Sequence, residues 1–177
     1  MTQNNEESVT NETESPPAEQ EKLSNAKFHQ LLTQLPFQIF LMVASADGKI
    51  DADEFLEFTR ALEDRSNFRS PYLKGVIRET VANLPDLRVR FEQKKITKDP
   101  DSVRLVFQSL FRRLEVAEVK TFAEDLIRLG QIIGNASGGG MLGMKKALSE
   151  EEEAAINEFI SLVKESAKES NNFSLDE

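Results

Sequence analysis

The chain has 177 residues, 39% of them hydrophobic, enough for one domain with a real core and length left over for tails. It contains no cysteine and no tryptophan, which excludes disulfides and thiolate chemistry, and its one histidine, His29, set in "KFHQLL", speaks against a His-rich metal site and a His-based triad. The formal net charge is −9, but residues 1–24 hold −5 of it and residues 168–177 another −2; the nearly balanced remainder argues only mildly against nucleic acid.

Residues 1–24 are rich in Glu, Asn, Ser and Thr and poor in apolar side chains. They cannot bury enough surface to offset ordering entropy, so the sequence predicts a disordered acidic tail there and a flexible tail over 168–177. The polar, acidic N-terminus does not read as a secretion signal. The apolar run from Pro36 to Ala46 is too short to span a bilayer. The chain is expected to be soluble and cytoplasmic, with a peripheral membrane contact left open.

Between the tails, over 25–167, every segment reads as helix. Phe28, Leu31, Leu32 and Leu35 recur at helical spacing, and Pro36 is expected to restart the chain. Phe37 to Ala46 is apolar nearly all round, which predicts a central helix packed on all sides. Asp51 opens the next helix, with Phe55, Phe58 and Leu62 on one face. Ser70-Pro71 and Asp99-Pro100 are start signals: an N-cap followed by a proline at the first helical position. Pro85 is expected to start a short helix ending near Ile96. Val103 to Leu114, Val119 to Ile133 and a last helix opened by Ser149 complete the pattern. With no two-residue alternation bounded by hairpin turns, the expected fold is an all-α compact bundle of about seven helices.

The stretch "ASADGKIDADEF", Ala44 to Phe55, crowds three aspartates and a glutamate around Gly48. Asp51 and Glu54 have capping-box spacing, as do Ser149 and Glu152, and acids in a first turn suit the helix dipole. Asp47-Gly48 suits a turn. Helix capping thus accounts for most of these residues without a ligand. "DGKIDADE" also resembles the second half of a calcium-binding EF-hand loop, with Gly48 at the sharp turn, Ile50 at the hydrophobic position and Glu54 as terminal ligand. Counting back, Asp47 and Ser45 fit ligand positions, but the first falls on Val43, which cannot coordinate. Half of any coordination sphere would have to come from elsewhere.

A weak internal echo suggests where. In both "FLMVASADGKIDADE" and "IIGNASGGGMLGMKKALSEEE" an apolar helix ends in Ala-Ser, a glycine-bearing loop follows, and an aliphatic residue (Ile50 or Leu148) precedes an acidic helix start. A shift of 92 positions pairs Leu35 with Ile127, Phe37 with Leu129 and Phe40 with Ile132. Together the two loops resemble the TerB-like family, named for tellurite resistance, over roughly Phe37 to Val163. The echo suggests two weakly repeated helix-loop-helix units, and the resemblance implies a compact all-helical bundle that binds a divalent cation. It places Asp47 and Glu54 in the first acidic motif and Glu152 in the second, with Asp51 and Glu151 as weaker ligands. Lys145 and Lys146 in the second loop would make such a site lopsided, and a flexible acidic loop would favour calcium.

Other stretches carry less. "GGGMLGMKKALS" fails as a phosphate loop, because Met144 follows Gly143 and a helix precedes it. Met141, Leu142 and Met144 read either as tucked onto the bundle or as a hook for a partner or membrane surface. "RVRFEQKKITK" holds Arg88, Arg90, Lys94, Lys95 and Lys98 around Phe91; it reads as a solvated face, and one aromatic is too few for single-strand nucleic-acid binding. No nucleophile-base pair can be assembled. The expected function is therefore non-enzymatic: a TerB-like domain in bacterial stress response, with a divalent cation as cofactor, protein partners and no nucleic acid. The alternative is a helical protein-interaction module whose acids only cap helices.

Overall fold

A computed structural model describes residues 24–46, 50, 52–136 and 148–170. Six α-helices and one short 3-10 turn account for nearly all of them, and there is no strand among the described residues. The helices are α1 (Asn25–Ala44), α2 (Ala52–Glu63), α3 (Pro71–Glu92), α4 (Pro100–Arg113), α5 (Val116–Ala136) and α6 (Glu150–Glu169). The 3-10 turn, Arg65–Asn67, connects α2 to α3. None of the described helices is long and apolar enough to cross a membrane.

The start signals work as their chemistry requires. Ser24, Ser70, Asp99 and Ser149 each cap a helix, with the side chain accepting the backbone amide three residues on. Pro71 and Pro100 take first helical positions, where a missing N–H costs nothing.

Two interior prolines behave differently from expectation, and this reduces about seven helices to six. Pro36 lies inside α1 and Pro85 inside α3, and neither breaks its helix. An interior proline costs about 3 kcal/mol or more, whereas burying one large apolar side chain contributes about 1.5–3 kcal/mol. Leu31, Leu32 and Leu35 before Pro36, and Phe37, Ile39 and Phe40 after it, are all buried. A continuous α1 that keeps both sets in the core outweighs the local penalty. Next to the carbonyl that Pro36 leaves without its amide, the Thr80 hydroxyl from α3 is shared between Thr33 O at 2.8 Å and Val76 O at 3.0 Å. Pro85 faces solvent, where water can satisfy the freed backbone group.

As expected, α1 is the central element: every residue from Leu35 to Ala44 is buried. It packs against α3, α4, α5 and α6. Beside it Phe37, Phe40, Phe55 and Phe58 form one aromatic cluster, with the Phe40 and Phe58 rings stacked at 4.7 Å. Phe91, the lone aromatic of the basic stretch, turns inward and meets Phe37 edge-on at 6.2 Å. A second cluster joins Phe107 to Phe122 and Phe159 across α4, α5 and α6.

Candidate functional site

The bundle end where α1 and α5 finish collects the acidic helix starts. A Cβ placed on Gly130 would lie 3.4 Å from both Ile39 and Val43, and one on Gly134 would lie 3.4 Å from Val43. The two helices thus run side by side in the same direction, with a glycine at each contact. Their successors pack crosswise: α2 lies against α5, and α6 against α1.

Leu148, the residue before the α6 N-cap, sits directly on Gly134; a Cβ there would approach its Cδ2 to 2.3 Å. Ser149 then caps α6 through a complete capping box. The Glu152 amide donates to Ser149 Oγ at 3.1 Å, and the Ser149 amide donates to Glu152 Oε2 at 2.7 Å. This reciprocal pair turns the Glu152 side chain inward, where its Cδ lies 3.5 Å from the Cβ position of Gly134. Glu152 is consequently 6% exposed, while Glu151, one residue earlier, points to solvent.

Glu54 is 2% exposed and holds the third position of α2, as Glu152 holds the third position of α6. Burying a carboxylate is costly unless it is hydrogen-bonded or paired, and neither residue is without a partner. Two buried glutamates at equivalent helical positions are therefore built features and not incidental surface acids. Of the remaining candidates, Asp47 and Asp51 lie outside the described residues, as does the loop with Met141, Leu142 and Met144. Ser45, which the loop count offered as a ligand, ends α1 with its hydroxyl donating to Leu41 O, and Val43 is core. Among the described residues no group of three or more His, Asp or Glu side chains is placed to hold a metal. A complete hard-cation site of six to eight oxygens would therefore draw on Asp47 and Asp51 besides Glu54 and Glu152. Oxygen donors of this kind fit a hard cation.

No protein-family model, no curated protein and no solved structure matches this chain. The reading of the site accordingly rests on its own residues.

Two buried polar groups escaped the sequence reading. Asp125, wholly buried on α5, accepts the amides of Arg69 and Ser70 through one oxygen at 2.7 Å each, and Arg69 Nε approaches its other oxygen at 3.5 Å. The Arg69 guanidinium also pairs with Glu124 at 2.6 Å, and that hydrogen bond, assisted by Asp125, raises its already high pKa further. Gln38, buried in α1, donates from Nε2 to Thr97 O at 3.1 Å and accepts the Asp99 amide at 2.9 Å, which fastens the α3–α4 connection to the central helix. Both had a sequence signal. Asp125 stands in the Phe122–Leu126–Leu129 stripe, and Gln38 is the lone polar residue in "PFQIFLMV".

Proposed function

We propose that this chain is a non-enzymatic, TerB-like helical domain that holds a divalent cation, calcium before magnesium, at the bundle end where α1 and α5 finish. The carrying observation is the pair of buried glutamates, Glu54 and Glu152, each third in the helix that follows a glycine-bearing loop. The crosswise packing of α2 on α5 and α6 on α1 supports treating α1–α2 and α5–α6 as two repeated helix-loop-helix units. Asp47 and Glu54 are the principal ligands, Glu152 joins them from the second unit, and Asp51 and Glu151 are subsidiary. Glu152 caps α6 through Oε2, and a carboxylate can cap and coordinate with different oxygens. The setting is bacterial stress response in the cytoplasm, including tellurite tolerance, with protein partners.

A second reading has its own support. The complete capping box at Ser149 and Glu152 shows that an acid here satisfies orphan helix amides by itself. On that reading the domain is a protein-interaction module and binds no metal.

Thermal unfolding of the full chain in chelator, and then with calcium, magnesium or manganese, separates the two. A cation that binds only the folded state stabilises it by about 2.7 kcal/mol at a hundred times its dissociation constant. Glu54→Gln and Asp47→Asn keep shape but remove charge, and each should abolish the calcium-dependent rise. Gln preserves the capping geometry at 152. If Glu152→Gln leaves the rise intact while Glu54→Gln removes it, the site belongs to the first loop alone. If none of the three cations moves the wild-type transition, the capping reading stands.

A further inference from the structure

Away from the acidic end, a cavity of about 400 Å³ opens between the N-terminal half of α1 and the α3–α4 connection. Its lining on α1 stops at Gln38, and none of its lining residues belongs to α2, α5 or α6, so this cavity and the acidic end are distinct regions. Four of its lining residues are basic (Lys27, Arg90, Lys95 and Lys98) and one, Asp99, is acidic. That is a concentrated positive surface on a chain of net charge −9.

The walls are built, not incidental. Gln38 forms part of the lining and spends its amide on Thr97 O and the Asp99 N–H, which fixes the wall that carries Lys95 and Lys98. Asp99 is occupied as the α4 cap: the Ser102 amide donates to it at 3.1 Å, and the Ser102 hydroxyl donates to its other oxygen. The end of α3 turns by a Schellman motif, with Lys95 N donating to Arg90 O at 2.8 Å and Lys94 N to Phe91 O at 2.8 Å. Lys94 takes the left-handed position at φ 56°, where glycine is the usual residue. This turn directs the chain so that Lys95 and Arg90 face one cavity. Lys27 and Lys95 form no ion pair among the described residues, and Arg90 has only Asp86 at 3.8 Å. Lys98 is shared with Glu158 at 2.7 Å.

We infer that this cavity binds a compact anion carrying two or more phosphate groups and no aromatic ring. Its size lies in the range of small-molecule sites, about 300–1,000 Å³. Of the four cations, Lys98 is paired with Glu158 and Arg90 lies 3.8 Å from Asp86, which leaves Lys27 and Lys95 as the main source of positive charge; two phosphate groups bring roughly −1.5 to −2 each at pH 7. Gln30, Gln34 and Thr97 add neutral hydrogen-bonding groups around the charge. Among the described residues no aromatic side chain lines the cavity to stack a base, which favours a diphosphate or a phosphorylated sugar over a nucleotide.

The test is calorimetry on the full chain in EDTA, at low and at physiological salt. Probes are inorganic pyrophosphate, fructose 1,6-bisphosphate and, as the aromatic comparison, ADP. EDTA keeps the result independent of any cation at the acidic end. Expected is one-to-one, salt-weakened binding of pyrophosphate or the bisphosphate. Whichever of these two binds better tells a free diphosphate from a sugar-borne pair. Lys27→Gln with Lys95→Gln should cost about tenfold or more, the loss expected for charged hydrogen bonds. Lys164→Gln, at an exposed lysine of α6 that does not line the cavity, should change nothing. Amide shifts in an NMR titration should fall on Lys27, Gln34 and Thr97 to Asp99. The inference is overturned if neither phosphate probe binds at low salt, if ADP binds better than both, or if Lys164→Gln weakens binding as much as the double variant.

Discussion

The carboxylate of Asp125 on α5 accepts the backbone amide of Ser70, the residue that caps α3, at 2.7 Å with neither group exposed to water. A side chain of one helix therefore fixes where another helix begins. The same oxygen also takes the Arg69 amide. Asp125→Ala would strand two backbone donors and leave Arg69 with Glu124 alone, at a cost of about 3–5 kcal/mol. Asp125→Asn keeps an acceptor and should cost less. Urea unfolding followed by circular dichroism measures both, and a loss below about 1 kcal/mol for the alanine variant would mean that water replaces the carboxylate.

Phe40→Ala addresses the central helix. Phe40 is wholly buried, stacks on Phe58 and meets Phe37 and Phe55. Truncation should destabilise the fold by about 3–5 kcal/mol. A much smaller effect would show that α1 can collapse onto its neighbours.

Two helical glycines should respond in opposite ways to alanine. Gly75 in α3 has nothing within 4 Å of its Cβ position, so Gly75→Ala should stabilise by up to about 1 kcal/mol through helix propensity. At Gly134 the new methyl would lie 2.3 Å from Leu148 Cδ2 and displace the residue that leads into the α6 cap. That overpacking, typically about 1–3 kcal/mol, should cancel or exceed the propensity gain. Thermal melts of the two variants side by side give the comparison, and equal stabilisation would show that Leu148 moves freely.

Tyr72 is the only tyrosine of a chain without tryptophan, so phenolate absorbance reports it alone. Its ring lies 5.9 Å from that of Phe122, and burial raises its pKa above the usual 10.0 against an opposing Arg113 charge. A raised folded-state pKa contributes stability that is fully present below the unfolded value and is lost as pH rises through the folded one. The native chain should therefore titrate at higher pH than the urea-unfolded chain, and Tyr72→Phe should remove that part of the alkaline destabilisation. Coincident native and unfolded titrations would refute this.

The positions and caps of most helices were legible in the sequence because they follow from local chemistry. The Phe28–Leu31–Leu32–Leu35 spacing, the Ser70-Pro71 and Asp99-Pro100 starts, and Ser149 with Glu152 all act within one or two turns. The apolar run after Pro36 already implied a helix buried on all sides. Pro36 and Pro85 misled because a proline's effect is local in sequence, while the burial that overrides it comes from other helices.

The acidic helix starts were visible as a pattern, but only tertiary packing decided that Glu54 and Glu152 are buried while Glu151 faces water. The reason is distance along the chain. Gly134 accommodates Leu148 and borders Glu152, Asp125 anchors the capping residue of a helix that begins more than fifty residues earlier, and Lys27 shares a cavity with Arg90 and Lys95. Periodicity shows which face of a helix turns inward. Which groups meet there depends on how separate helices cross, and in this chain that crossing brings Lys27 of α1 and the Arg90–Lys98 end of α3 and its connection around a single cavity.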